Sequence, residues 1–180
     1  MTTPQIPHQI KEADGCRFRR IKPEEYPVLT TFLYEAIYVP EGMEPPPLSI
    51  VSNPEVSFYI KDFGRAGDIC LVCEAHKQIV GAAWSRILDG EGERGYGNIG
   101  AGIPELAISV LPGYRGRGIG LGLLQRLHIA LGAEGYDRIS LSVQKANPAF
   151  RLYERAGYRV LREQEDDYIM VWEGGGTPCL

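Results

Sequence analysis

The sequence predicts a mixed α/β fold in one domain, and three observations carry that prediction. Residues 104–122, PELAISVLPGYRGRGIGLG, pass from an alternating apolar strand through a glycine-dense turn into an apolar helix. Residues 138–144, RISLSVQ, form a short β-rich run, followed at once by a helix opening at Asn147-Pro148-Ala149. The 180 residues are long enough to bury one sizeable core and too few to suggest a second.

Taken in order, residues 16–22 suggest a first strand. Pro23 then opens a helix over 23–39, where Val28, Leu29, Phe32, Leu33, Ala36 and Ile37 recur at helical spacing and Pro27 falls near the first turn. A proline-rich break at 40–47 precedes a second helical region at 53–63 and strands at 69–74 and 78–88. Residues 89–102 are a glycine-rich loop rather than a domain linker, and no internal repeat appears. Leu106, Ile108 and Val110 mark the central strand, which Pro112 and Gly113 end, and the third helix follows the glycines. After the strand at 138–144, a fourth helix at 149–156 closes at Gly157, and residues 158–173 hold the last strands. The domain spans 15–173, between a flexible segment at 1–14 and a mobile tail at 174–180.

The turn Arg115-Gly116-Arg117-Gly118-Ile119-Gly120 is suited to holding phosphate, because its glycines clear the backbone and the first N–H groups of a helix face the anion. A P-loop would need a Lys-Ser or Lys-Thr pair after the glycines, and none follows. A Rossmann turn would need a carboxylate at the end of the next strand, where Val143-Gln144-Lys145 stands instead. What remains is Arg/Gln-x-x-Gly-x-Gly/Ala, satisfied by Arg115, Gly118 and Gly120. It resembles the acyl-CoA pyrophosphate loop of GCN5-related N-acetyltransferases (GNAT), and the following Asn147-Pro148-Ala149 and Leu152-Tyr153-Glu154-Arg155-Ala156-Gly157-Tyr158 match that family in order and spacing.

The resemblance implies the GNAT acyl-CoA N-acyltransferase fold: a central mixed sheet of about seven strands, splayed between the fourth and fifth, flanked by about four helices. It implies acetyl-CoA as co-substrate, no metal, and direct attack by a primary amine without a covalent enzyme intermediate. In similar enzymes the fourth strand is bulged as well as splayed. Main-chain groups of Ile108, Ser109, Val110 and Leu111 would then bind the pantetheine arm and the thioester carbonyl, and those of Arg115, Gly116, Arg117, Gly118, Ile119 and Gly120 the pyrophosphate. Tyr153 matches the tyrosine that protonates the departing thiolate in family members, and it also fits a buried helix stripe. Asn147 would bridge to the pantetheine arm; a helix N-cap is its other reading, and both can hold together.

A typical alkylamine is mostly protonated at pH 7, so a general base is useful. Glu105, heading the central strand, is the first candidate. By alternation Glu105, Ala107 and Ser109 share one face and Leu106, Ile108 and Val110 the other, and a solvated carboxylate at a strand end is the alternative reading. Glu74, Glu91 and Glu93 rank behind it. The acceptor site is expected where residues 40–48 and 89–102 approach the thioester, with Tyr34, Tyr38, Trp84 and Tyr96 as lining aromatics. Acidic residues in these loops point to a cationic or amine-bearing small molecule. A protein- or peptide-modifying acetyltransferase and a non-catalytic acyl-CoA-binding module are the alternatives.

A net charge of −4 without a basic face argues against nucleic acid. No apolar stretch approaches the roughly 20 residues that span a bilayer, and the polar N-terminus lacks a signal peptide's apolar region, so the expected location is cytoplasmic, away from membranes. Cys70 and Cys73 have C-x-x-C spacing, but inside a strand they point to opposite faces. With Cys16 and Cys179 they read as buried free thiols, while His8, His76 and His128, read as surface or partly packed, show no ligand spacing. Many similar proteins pair through their late strands, so the resemblance implies residues 158–173 as the place where a homodimer would form.

Overall fold

The computed structural model describes residues 15–89 and 95–174. Seven strands form one sheet in the order β1-β2-β3-β4-β5-β7-β6, built from β1 Arg17–Arg20, β2 Ile69–Ala75, β3 Gln78–Arg86, β4 Glu105–Val110, β5 Arg138–Gln144, β6 Arg159–Glu163 and β7 Asp167–Glu173. Every pairing is antiparallel except β4 with β5, which are parallel and share the single rung Glu105↔Ser140.

The helices are α1 Leu29–Ala36, α2 Pro54–Ser57, α3 Ile119–Ala133 and α4 Phe150–Arg155. The helix expected over 23–39 divides: Pro23–Val28 is 3-10, with Pro27 inside it, and α1 begins only at Leu29. Pro27 has no N–H to donate to a carbonyl four residues back, which keeps the first segment out of the α ladder. The second helical region is likewise reduced to a 3-10 turn, Leu48–Ser52, and the single turn of α2, whose cap is Asn53 Oδ1 accepting the Glu55 N–H at 3.0 Å.

Alternation along the strands gives the sheet two apolar faces. Leu106, Leu141 and Met170 pack under α3 and α4 with Leu123, Leu127 and Tyr153, while Val72, Ala82 and Trp84 pack with Leu29, Phe32 and Phe58 on the other side. Cys70 and Cys73 are buried free thiols in different cores, as their spacing within a strand requires. Gly122 brings α3 onto β1, since a Cβ there would fall 2.8 Å from the Phe18 ring. His76 is exposed in the β2–β3 turn, whereas His128 is buried, stacked on Trp172 at 4.0 Å and 3.0 Å from the Tyr158 hydroxyl. Among the described residues no helix is long and apolar enough to cross a membrane, and no group of His, Cys, Asp and Glu could hold a metal ion. His8, Cys179, Glu91, Glu93 and the expected flexible segment 1–14 lie outside the described residues, as does the tail beyond Gly174.

The expected bulge in β4 is not there. Its register with β3 runs without a break from Arg86↔Glu105 to Gly81↔Val110, and the irregularities lie at Cys73/Glu74 and Val160/Arg162. Because the β3 edge of β4 is fully paired, the opening lies between β4 and β5 rather than within β4.

Candidate active site

The opening exposes main chain. The Leu111 N–H donates to the Val80 carbonyl at 2.9 Å, so residues 105, 107, 109 and 111 point their polar groups at β3. Antiparallel alternation then turns the N–H groups of Ile108 and Val110 toward β5, where the ladder stops at Ser140. Of the four main-chain positions expected from the sequence, these two face the gap. Leu111 is engaged by β3, and the Ser109 hydroxyl donates to the Phe32 carbonyl at 2.6 Å.

Beyond β4 the glycine turn leads into α3. Gly116 (φ +75°) and Gly118 (φ +80°) are left-handed, and a Cβ at either would meet nothing within 4 Å. The first bond of the helix runs from the Gly122 N–H to the Gly118 carbonyl at 3.0 Å, leaving the N–H groups of Ile119, Gly120 and Leu121 without acceptors inside the helix. Gly120 also serves packing, since a Cβ there would fall 3.0 Å from Leu152 of α4. Arg115 turns back, its Nε donating to the Val110 carbonyl at 2.8 Å and its guanidinium pairing with Glu35 at 2.8 Å; Arg117 lies 5.3 Å over the Tyr114 ring.

Tyr153 projects from α4 into the core that holds Leu106 and Leu123, next to Leu152, which packs on Gly120. Its ring is buried edge-on to Tyr158, 5.8 Å between centroids, and its hydroxyl has no partner among the described residues; burial pushes that hydroxyl up to about 12. Asn147 holds the turn into α4, its Oδ1 accepting the Ala149 N–H at 2.9 Å.

Glu105 lies at the rung where the strands part and is 2% exposed, so it is not a solvated strand end. It shares the α1 face with Ala107. Oε1 accepts from the Tyr59 hydroxyl and from the Gly97 N–H, the latter at 2.8 Å, while Oε2 has no partner among the described residues. Burial pushes the carboxyl up to about 6, against the opposing pull of these two donors.

The residues around Glu105 come from distant segments. Trp84, expected to line the acceptor site, is fully buried, and its indole N–H donates to the Tyr59 carbonyl at 3.0 Å. Arg86, paired with Asp68 at 2.7 Å, donates to the carbonyls of Phe58, Lys61 and Asp62. Gly95 and Gly97 must be glycine: a Cβ would fall 1.9 Å from Glu105 Oε2 at the first and 2.5 Å from the Leu141 carbonyl carbon at the second. Sequence reading missed Tyr59, Arg86, Gly95 and Gly97, and the density of glycine in 89–102 was the one available signal. Tyr34 and Tyr38 donate to the carbonyls of Pro46 and Ala146, at 2.8 and 3.0 Å, and Tyr96 is 59% exposed. Glu74 is bound up with Arg19 at 2.7 Å, beside a cleft of about 520 Å³ that is lined by Leu111, just past the end of β4, and contains neither Glu105 nor Tyr153.

A sheet opened between its fourth and fifth strands beside a bare glycine turn defines the acyltransferase class of α/β fold. The chain belongs to the acetyltransferase (GNAT) domain family, whose model matches residues 66–160, and it is an acyltransferase. Solved structures agree in fold. PaiA N-acetyltransferase of Thermoplasma acidophilum, in complex with coenzyme A, is 20% identical over 88% of this chain and 98% of its own, with a TM-score of 0.63. YncA of Salmonella typhimurium, with its cofactor acetyl-CoA, is 17% identical over 92% and 98%, with a TM-score of 0.64. Ribosomal-protein-alanine N-acetyltransferase of Brucella melitensis is 20% identical over 87% and 99%, with a TM-score of 0.61. No curated protein matches.

Proposed function

We propose that this chain transfers an acetyl group from acetyl-CoA to a primary amine by direct attack. The observation that carries the proposal is the unpaired edge of β4, which continues into the open glycine turn at one end and meets the buried Glu105 at the other. The residues present fit the co-substrate: two N–H groups face the gap, and left-handed glycines clear the approach to the α3 N-terminus, where a diphosphate is favoured. When bound, acetyl-CoA supplies a thioester carbonyl as electrophile and a thiolate as leaving group.

The chain's own residues supply the rest. The N–H groups of Ile108 and Val110 hold the pantetheine arm and polarise the carbonyl. The main chain of residues 116–121 holds the pyrophosphate, while Arg115, tied to Glu35, shapes the turn. At pH 7 only about one alkylamine in a few thousand is neutral, and Glu105, with its carboxyl near 6, is ionised there and takes the proton the nitrogen sheds. Tyr153, kept protonated by burial, gives its hydroxyl proton to the departing sulfur. Tyr34, Tyr38 and Tyr96 frame the acceptor's approach, and the acceptor is the primary amine of a small molecule or of a peptide.

The test is thiol release from acetyl-CoA with a panel of amines: a polyamine, an arylalkylamine, an amino-acid amide, an alanine-terminated peptide and a lysine peptide. Amine-dependent thiol release, lost in Glu105→Gln, is the expected result. A folded protein that binds acetyl-CoA and releases no thiol with any of them would contradict the proposal.

A further inference from the structure

We infer that Tyr59 is a positioning residue of the transfer site: its hydroxyl, together with the Gly97 N–H, fixes Oε1 of Glu105 and so sets the orientation and basicity of the carboxylate at the rung shared with Ser140. The inference rests on Glu105 acting as the base. A carboxylate with free rotation offers two equivalent oxygens, and two donors on one of them, Tyr59 and the Gly97 N–H, remove that equivalence. The direction of the Tyr59 hydroxyl is also set. Its oxygen accepts the Tyr96 N–H at 3.1 Å, leaving its proton for Glu105.

Tyr59 is itself anchored, its carbonyl by Trp84 at 3.0 Å and the preceding carbonyl of Phe58 by Arg86 at 2.8 Å. Opposite it, Glu105 Oε2 and Ser140 Oγ are both buried and both unpartnered among the described residues. They are register partners on parallel strands about 4.8 Å apart and point to the same face, because Leu106 and Leu141 point to the other. Two buried, unpartnered oxygens therefore lie at the last rung before the gap, and the Gly95 main chain packs against Oε2. Among the described residues, the charged and titratable groups nearby are Tyr59 itself, Tyr96 beside it and, on β3, Arg86, which Asp68 balances.

In the step this arrangement serves, a C–N bond forms as the C–S bond breaks. The nitrogen's proton passes to the Glu105 carboxylate, the sulfur takes the Tyr153 proton, and exchange with water restores both side chains.

The experiment follows the Glu105 carboxyl by ¹³C NMR titration, its resonance assigned by loss in Glu105→Gln. Wild type is compared with Tyr59→Phe and with protein carrying 3-fluorotyrosine at position 59, a stronger donor of the same shape. The midpoint should rise by about one pH unit in Tyr59→Phe and fall with fluorotyrosine. The acid limb of kcat/KM for thiol release should move with it, while KM for acetyl-CoA stays within about twofold. A midpoint unmoved by either change overturns the inference even where Glu105→Gln is inactive; full turnover by Glu105→Gln instead overturns the base reading beneath it. Should Tyr59→Phe fail to fold, the fluorotyrosine titration decides alone.

Discussion

Along the outer half of β4 and the glycine turn, the groups offered to a ligand are main-chain N–H, and all of them come from residues 108–121. Around Glu105 they are side chains and loop glycines, and Tyr59 reaches the carboxylate from 46 residues away. The first region is exposed at the turn 115–118, half-buried at Ile108 and Val110, and held by local backbone geometry; the second is buried and held by a network that includes Trp84, Arg86 and Asp68. A surface made of backbone tolerates side-chain change except where a left-handed glycine is needed. A surface made of buried side chains depends on each hydrogen bond in it.

The largest effect expected from breaking the second region is that of Glu105→Gln. Turnover should fall about a hundredfold or more while acetyl-CoA affinity holds, measured by thiol release and calorimetry. In the first region, Gly118→Asp should weaken acetyl-CoA binding by about thirtyfold or more. A side chain at φ +80° costs about 1–2 kcal/mol, and the new carboxylate faces the diphosphate.

A pH series on stability separates the regions further. The Glu105 carboxyl is raised from 4.5 to about 6 by burial, so its contribution is fully present below about pH 4.5 and lost as pH rises through 6. Chemical denaturation should find wild type losing about 2 kcal/mol across that window relative to Glu105→Gln. Burial of an ionised base thus opposes stability where it serves catalysis. Tyr153→Phe should lower kcat about tenfold without changing KM for acetyl-CoA. Smallest is Arg115→Ala, whose 54%-exposed guanidinium pairs with Glu35; the stability change in a thermal melt should stay within about 1 kcal/mol.

The same contrast explains what could be read from sequence. The strand at 138–144, the turn at 115–120 and the closure of α4 at Gly157 are local events, marked by alternation, glycine and proline within a few residues, and they stand where the sequence puts them. Apolar spacing predicts one helix over 23–39, but Pro27 keeps its first part out of the α ladder, and the region at 53–63 is a single turn followed by carbonyls that Arg86 satisfies from β3. Tyr59 carried no local mark, since an aromatic after a short helix reads as packing. Trp84 has the chemistry of an acceptor-site aromatic, but its strand position directs it into the core. What the sequence left dark is the set of contacts made by the sheet bringing residues 59, 86, 97 and 105 together.

The central claim is that the β4 edge and the glycine turn form an acetyl-CoA site, and calorimetric titration of the purified protein with acetyl-CoA tests it most directly. The account predicts one-to-one binding with a Kd of about micromolar order, lost in Gly118→Asp and kept in Glu105→Gln. A folded wild-type protein that takes up no acetyl-CoA, or a Gly118→Asp variant that binds as tightly as wild type, would contradict it.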